Sequence, residues 1–254
     1  MSPEEYRAFT EALCQRVAAA PDALGLVALG SMSGQGAPAD AWSDHDFFVI
    51  VPPGTQERWR DSSWLPRAED VVLSFRETAH GLKVVYRDGH LLEFAVFDPD
   101  EIALARVNRY RVLVDRADVE ARMQAVQAAT AAAPAQDDAH LVGQFLTQLL
   151  VGVARFRRGE RLSAHRLVKV QALEHLLLLL ARQRPSDVLD GLDPFRRVER
   201  AWPGLAQEID TALTEPVDVA ARSLLALARR ELPDKWPEGA IAAVERAICT
   251  DRRT

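Results

Sequence analysis

The chain has 254 residues, 48% of them hydrophobic, and a net charge of −6 at neutral pH. That length allows one large or two ordinary domains with real cores, and the acidic balance argues against a broad non-specific nucleic-acid surface, which needs clustered Lys and Arg. Cys14 and Cys249 are too few and too far apart for a disulfide framework or a zinc site, and the six histidines show no metal-ligand spacing.

Ser2, Pro3 and Glu5 fit an N-cap, a first-turn proline and a capping-box glutamate. Phe9, Leu13 and Val17 then recur every fourth residue, which predicts a helix with one apolar stripe, ended at Pro21. Glu4, Glu5, Arg7 and Glu11 on that stretch are incompatible with a secretory signal, so a cytoplasmic location is expected. A strand at Leu24 to Leu29 runs into Gly30-Ser31, and a second strand opens on Asp44-His45-Asp46 before Phe47, Phe48, Val49, Ile50 and Val51.

Side chains at i and i+2 of a strand share a face, about 6.6 Å apart. Asp44 and Asp46 therefore form a carboxylate pair, and like charges heading an apolar strand call for a cation, read here as magnesium. Gly30 lets the backbone approach an anion, and Ser31 adds a hydroxyl and an N–H, so the pair reads as a phosphate seat. The loop from Gly30 to Ser43, with three glycines and Pro38, is expected to settle when nucleotide binds.

Further on, a short helix is expected around Gln56 to Arg60, and alternation from Asp70 to Glu77 predicts a strand. Asp88-Gly89 joins two apolar runs and reads as a two-residue hairpin of the primed type. Pairing Arg87 with His90 puts Val84 opposite Glu93, so Lys83 and Glu93 are expected on different faces, and Glu93 is assigned to a metal or substrate in preference to a solvent-facing edge residue. A last strand is expected at Arg111 to Val114, with Asp115 to Ala121 leading out of the first domain.

From there to the end the periodicity is helical, including a stretch from Ser163 to Gln183 whose leucine run, Leu176 to Leu180, falls short of a membrane span. Lys169 is the single lysine between Ala121 and Pro233; a role in reaching a triphosphate is weighed against a solvated lysine on a helix surface.

Gly-Ser, twelve intervening residues, then Asp-x-Asp leading an apolar strand resembles the signature of the DNA polymerase beta-like nucleotidyltransferases. That family carries a third acidic residue on a later strand, and Glu93 in the run ending at Asp98 matches it. His45 departs from the pattern, where the family usually has an apolar residue; alternation points it away from the two aspartates, as a packed or partly exposed histidine, with a catalytic part weighed less. The segments from Ser43 to Val51 and from Leu192 to Pro203 are similar to the aminoglycoside and lincosamide nucleotidyltransferases.

The resemblance implies an α+β protein: a small mixed β-sheet catalytic domain at residues 1–120 and an all-α helix bundle at residues 121–254 that closes over the nucleotide. It implies adenylyl transfer from ATP, or another nucleoside triphosphate, to a hydroxyl of a small molecule such as an aminoglycoside or lincosamide antibiotic. Two magnesium ions would sit on Asp44, Asp46 and Glu93, with Glu93 as ligand, general base or both, and Gly30 and Ser31 would hold the outer phosphates. The expected partners are the triphosphate and a small hydroxylated acceptor, with no stable nucleic-acid partner and no membrane. The alternative is a nucleotide-binding regulator, or a toxin-like transferase acting on a protein or RNA.

Overall fold

Ser2 caps helix α1 (Pro3–Ala19) as its spacing to Glu5 predicts: the Glu5 amide donates to Ser2 Oγ, and the Ser2 amide donates to the Glu5 carboxylate. In this computed structural model, which describes residues 1–35, 39–237 and 239–249, the helix buries Tyr6, Phe9, Leu13 and Val17 against a six-stranded sheet. Gly36 and Pro38 of the expected loop lie outside the described residues.

The strands are β1 (Gly25–Leu29), β2 (His45–Ile50), β3 (Val71–Arg76), β4 (Gly81–Tyr86), β5 (Leu91–Phe97) and β6 (Tyr110–Asp115), in the order β3-β4-β5-β2-β1-β6. Neighbours are antiparallel except β2 and β5, which run parallel, so the sheet is mixed. A parallel pair needs a long crossover, and here it passes through helix α2 (Gln56–Trp59) and the β3-β4 hairpin. Strand β3 lies at the sheet edge and leaves Val72, Leu73 and Phe75 exposed, so its alternation marks a strand without a buried face.

Alternation along β2 divides the first core in two. Phe47 and Val49 pack with α1, Leu26, Leu92 and Phe94 on one face. Phe48 and Ile50 pack on the other with Phe97, Ile102 and helix α3 (Val119–Ala131), which contributes Val119, Met123 and Val126. A Cβ on Gly25 would come within 2.7 Å of Val119 Cγ2, so a glycine lets α3 approach β1. The first compact unit accordingly runs from Met1 to Ala133, not to the expected residue 120. Asp115 to Ala121 reads as a way out, but Val119, Met123 and Val126 at helical spacing dock the helix that starts there on the sheet.

The second unit starts at Pro134, and among its described residues the regular elements are all helices. Its helices are α4 (Asp138–Arg157), α5 (Arg161–His165), a π-helical turn (Arg166–Ala172), α6 (Leu173–Gln183), α7 (Val198–Ala201), α8 (Pro203–Thr214), α9 (Val217–Glu231) and α10 (Ala240–Cys249). Together the units give the expected α+β class, a mixed sheet domain followed by a helix bundle. The leucine run is core: Leu176, Leu177, Leu179 and Leu180 are buried with Phe145, Leu149, Leu224 and Val244. Among the described residues no helix is long and apolar enough to cross a membrane.

Candidate active site

Strand β1 ends at Leu29, and the chain turns through Gly30–Ser33 as a short 3-10 helix. Gly30 has φ +46°, and a Cβ there would lie 2.6 Å from Asp46 Oδ2. Any side chain at position 30 would therefore meet the carboxylate of the second aspartate. The two halves of the motif, fourteen residues apart between Gly30 and Asp44, meet in space because β1 and β2 pair antiparallel, with Ala28 opposite Phe47.

Asp46 is also the parallel neighbour of Glu93, since β2 and β5 are in register from His45 with Leu92 to Ile50 with Phe97. Residues opposed on adjacent strands share a face, with backbones about 4.8 Å apart. Asp46 and Glu93 thus lie side by side on the face that carries Phe48, Ala95 and Phe97. Among the described residues, however, no three His, Cys, Asp or Glu side chains converge as a metal-holding group.

Glu93 has a partner that the sequence did not lead one to expect. Lys83 pairs directly with Glu93 across β4 and β5, and its Nζ lies 3.0 Å from both Glu93 Oε1 and Glu77 Oε1. The expected register is off by one because the Asp-Gly turn closes a three-residue loop: Tyr86 and His90 pair through a 2.9 Å bond around Arg87, Asp88 and Gly89, with Gly89 at φ +83°. A one-residue slip moves every side chain to the opposite face. Lys83 therefore shares Glu93's face, and the expectation that Glu93 lacks a neutralising neighbour is corrected.

Ser31 also differs from a simple phosphate seat. Its Oγ lies 2.9 Å from Tyr6 Oη and 3.2 Å from the Asp44 carbonyl, so its one proton is shared between the two acceptors. Tyr6 Oη donates to the same carbonyl at 2.9 Å. Burial, with Asp46 and Asp44 nearby, pushes the Tyr6 phenol up to about 12, so it is a neutral donor at physiological pH.

His45 turns to the opposite face, as alternation predicts, and is fully buried there. It stacks on Tyr6 with ring centroids 3.8 Å apart. Thr10 Oγ1 donates to the Tyr6 carbonyl at 3.0 Å and so accepts from His45 Nε2 at 2.9 Å. That leaves His45 Nδ1 to accept from His90 Nε2 at 2.8 Å, and His90 Nδ1 stays buried with no hydrogen-bond partner among the described residues. Burial pulls the two imidazoles down to about 3 and about 4, so both are neutral.

Lys169 belongs to the helical unit, in its π-helical turn. Its Nζ donates to the carbonyls of Leu213 at 2.7 Å and Glu215 at 2.5 Å, where α8 ends. A cation on those carbonyls is a C-terminal cap, which accounts for this lysine structurally.

Sequence reasoning missed Tyr6, Thr10, Lys83 and His90. For Tyr6 a signal existed: it stands three residues before Phe9 on the same stripe, and a buried tyrosine hydroxyl needs a partner. For Lys83 the signal was misread by one residue of register.

No protein-family model matches the chain, and no curated protein matches it in sequence. Among solved structures, an aminoglycoside 6-adenyltransferase from Bacillus subtilis is similar at 13% identity and a TM-score of 0.36, over 95% of this chain and 98% of that one. The CdnC:HORMA-deltaN complex of E. coli MS115-1 is similar at 12% identity and a TM-score of 0.31, over 93% and 92%. Likenesses of that size are distant.

Proposed function

We propose that the sheet unit is a nucleotidyltransferase that moves a nucleoside monophosphate, most simply adenylate from ATP, to a hydroxyl of a small molecule, releasing pyrophosphate. The observation that carries this is the contact between the Gly30 turn and Asp46: the turn suited to phosphate and the second carboxylate of the motif meet with no room for a side chain between them. Two carboxylates two residues apart, Asp46 on β2 and Asp44 just ahead of it, supply hard oxygen donors of the kind magnesium takes, and these two residues would hold it. When bound, that ion supplies charge neutralisation at the phosphate oxygens.

The chain's own groups divide the remaining work. The Gly30-Ser31 turn seats the outer phosphates, chiefly through backbone, since the Ser31 hydroxyl is engaged with Tyr6 and Asp44. Glu93 stands beside Asp46 and takes the proton of the attacking hydroxyl, with Lys83 orienting its carboxylate. The acceptor oxygen forms its bond to the α-phosphorus as the bond to pyrophosphate breaks. By resemblance of the motif, aminoglycosides and lincosamides are the acceptors to try first.

The test is pyrophosphate release and product mass with ATP, magnesium and a panel of those antibiotics. Turnover in the wild type and none in Asp44→Asn at equal folded content is the expected result; turnover surviving Asp44→Asn defeats the assignment.

A second reading is a nucleotide-binding regulator, or a toxin-like transferase acting on a protein or RNA. The ion pair between Lys83 and Glu93 favours it, because that carboxylate already has a cation. Calorimetric ATP binding without product from any small acceptor would select this reading.

A further inference from the structure

Asp44 stands one residue ahead of the ladder, which begins at His45 paired with Leu92. A carboxylate that must meet a cation therefore hangs from backbone that β2 itself does not fix. What holds it comes from α1: Tyr6 Oη donates to the Asp44 carbonyl at 2.9 Å and contacts Ser31 Oγ at 2.9 Å, and Ser31 reaches the same carbonyl at 3.2 Å. One phenol thus ties the last residue before β2 to the first turn after β1.

The ring that carries this phenol is fixed in turn. It is buried, 4% exposed, and stacked on His45, whose edge is held by Thr10 one helical turn beyond Tyr6 and by His90 at the start of the β5 side of the hairpin. The histidine that departs from the Asp-x-Asp pattern is thus an anchor for the tyrosine.

We propose that Tyr6 is a positioning residue: its hydroxyl locks the Asp44 backbone and the Ser31 rotor together, so that helix α1 sets the geometry in which the carboxylate pair receives a divalent cation. This rests on the nucleotidyl-transfer reading, and it assigns to the first helix a part in the site beyond packing. Losing one of the two hydroxyls on the Asp44 carbonyl should weaken the cation site without emptying it, because Ser31 still reaches that oxygen.

The experiment is Mn2+ binding to the full chain, followed by the free-ion electron paramagnetic resonance signal, with thermal unfolding in parallel. Asp44→Asn sets the scale by abolishing binding. Tyr6→Phe keeps the ring and its stacking and is expected to weaken Mn2+ about three- to tenfold, the size of one net hydrogen bond. Ser31→Ala removes the other arm and should weaken binding similarly, keeping the test alive if Tyr6→Phe folds poorly. Glu5→Ala breaks the capping box, so it should lower the melting temperature while leaving Mn2+ affinity unchanged. Unchanged affinity in both hydroxyl variants overturns the positioning role while the carboxylate assignment stands. Equal weakening by Glu5→Ala overturns it too, since general docking of α1 would then suffice. No Mn2+ binding by the wild type sinks both readings.

Discussion

The two faces of β2 solve opposite electrostatic problems with residues that alternate along one strand. One face presents Asp46 beside Glu93, with Lys83 and Glu77 further along, and its ionised groups remain partly in water. The other buries His45 completely, and there the polar groups are kept neutral and bonded to one another. Charge is kept where a ligand would meet it; where the core is dry, hydrogen bonding replaces charge.

The sharpest way to break the contrast is to remove charge from the open face. Asp46→Asn should cost on the order of 10³-fold in pyrophosphate release, from the several kcal/mol a metal ligand contributes. The melting temperature should hardly move, and a comparable loss of stability would show that Asp46 is structural.

Gly30→Ala comes next. The added methyl meets the Asp46 carboxylate and displaces it, so the damage should fall on catalysis: about 100-fold in rate for a displacement near 1 Å. The left-handed φ adds a backbone cost of about 1 kcal/mol. Full activity in this variant would mean that the turn and the carboxylate do not work together.

The buried face is probed by pH. His45 and His90 lie at about 3 and about 4 in the folded protein, below the ordinary 6.5, so the unfolded chain binds protons that the folded one refuses. Their contribution to stability is complete above about pH 6.5 and is lost as pH falls towards 4, at about 1.4 kcal/mol per pH unit for each imidazole. Denaturant unfolding between pH 7 and 4.5 should show this fall, and His90→Asn should roughly halve its slope. An unchanged slope would refute the coupling of protonation to folding at this pair.

The smallest effect is expected from Lys83→Met. Its ion pairs are partly exposed, so the melting temperature should barely change, while loss of Glu93 orientation should lower the rate by less than about tenfold. A loss as large as that of Asp46→Asn would place the ammonium among the reacting groups.

Much of this arrangement was legible in residue order. Ser2 with Glu5 announced the helix cap, the apolar run after Asp46 announced a strand, and alternation separated His45 from the aspartates. What failed was information that does not reside in short strings. Asp-Gly is favoured in two-residue loops, yet a glycine at positive φ also closes a three-residue loop, and that one-residue difference decided which face Lys83 occupies. Asp115 to Ala121 read as the way out of the first domain, and only the docked Val119, Met123 and Val126 show that the helix starting there belongs to the sheet. Lys169 stands alone in sequence, but the carbonyls it caps are more than forty positions away.

The strand order also constrains how this unit comes into being on the ribosome. Residues that α1 must grip, His45 and His90, emerge long after it, β5 fills the place beside β2 only once the intervening hairpin is made, and β6 closes the β1 edge last. A nascent chain halted before Asp115 would carry an amphipathic first helix with an unfinished sheet to lie on. Its early apolar stripe is thus a segment for which a chaperone would compete until synthesis has passed the sixth strand.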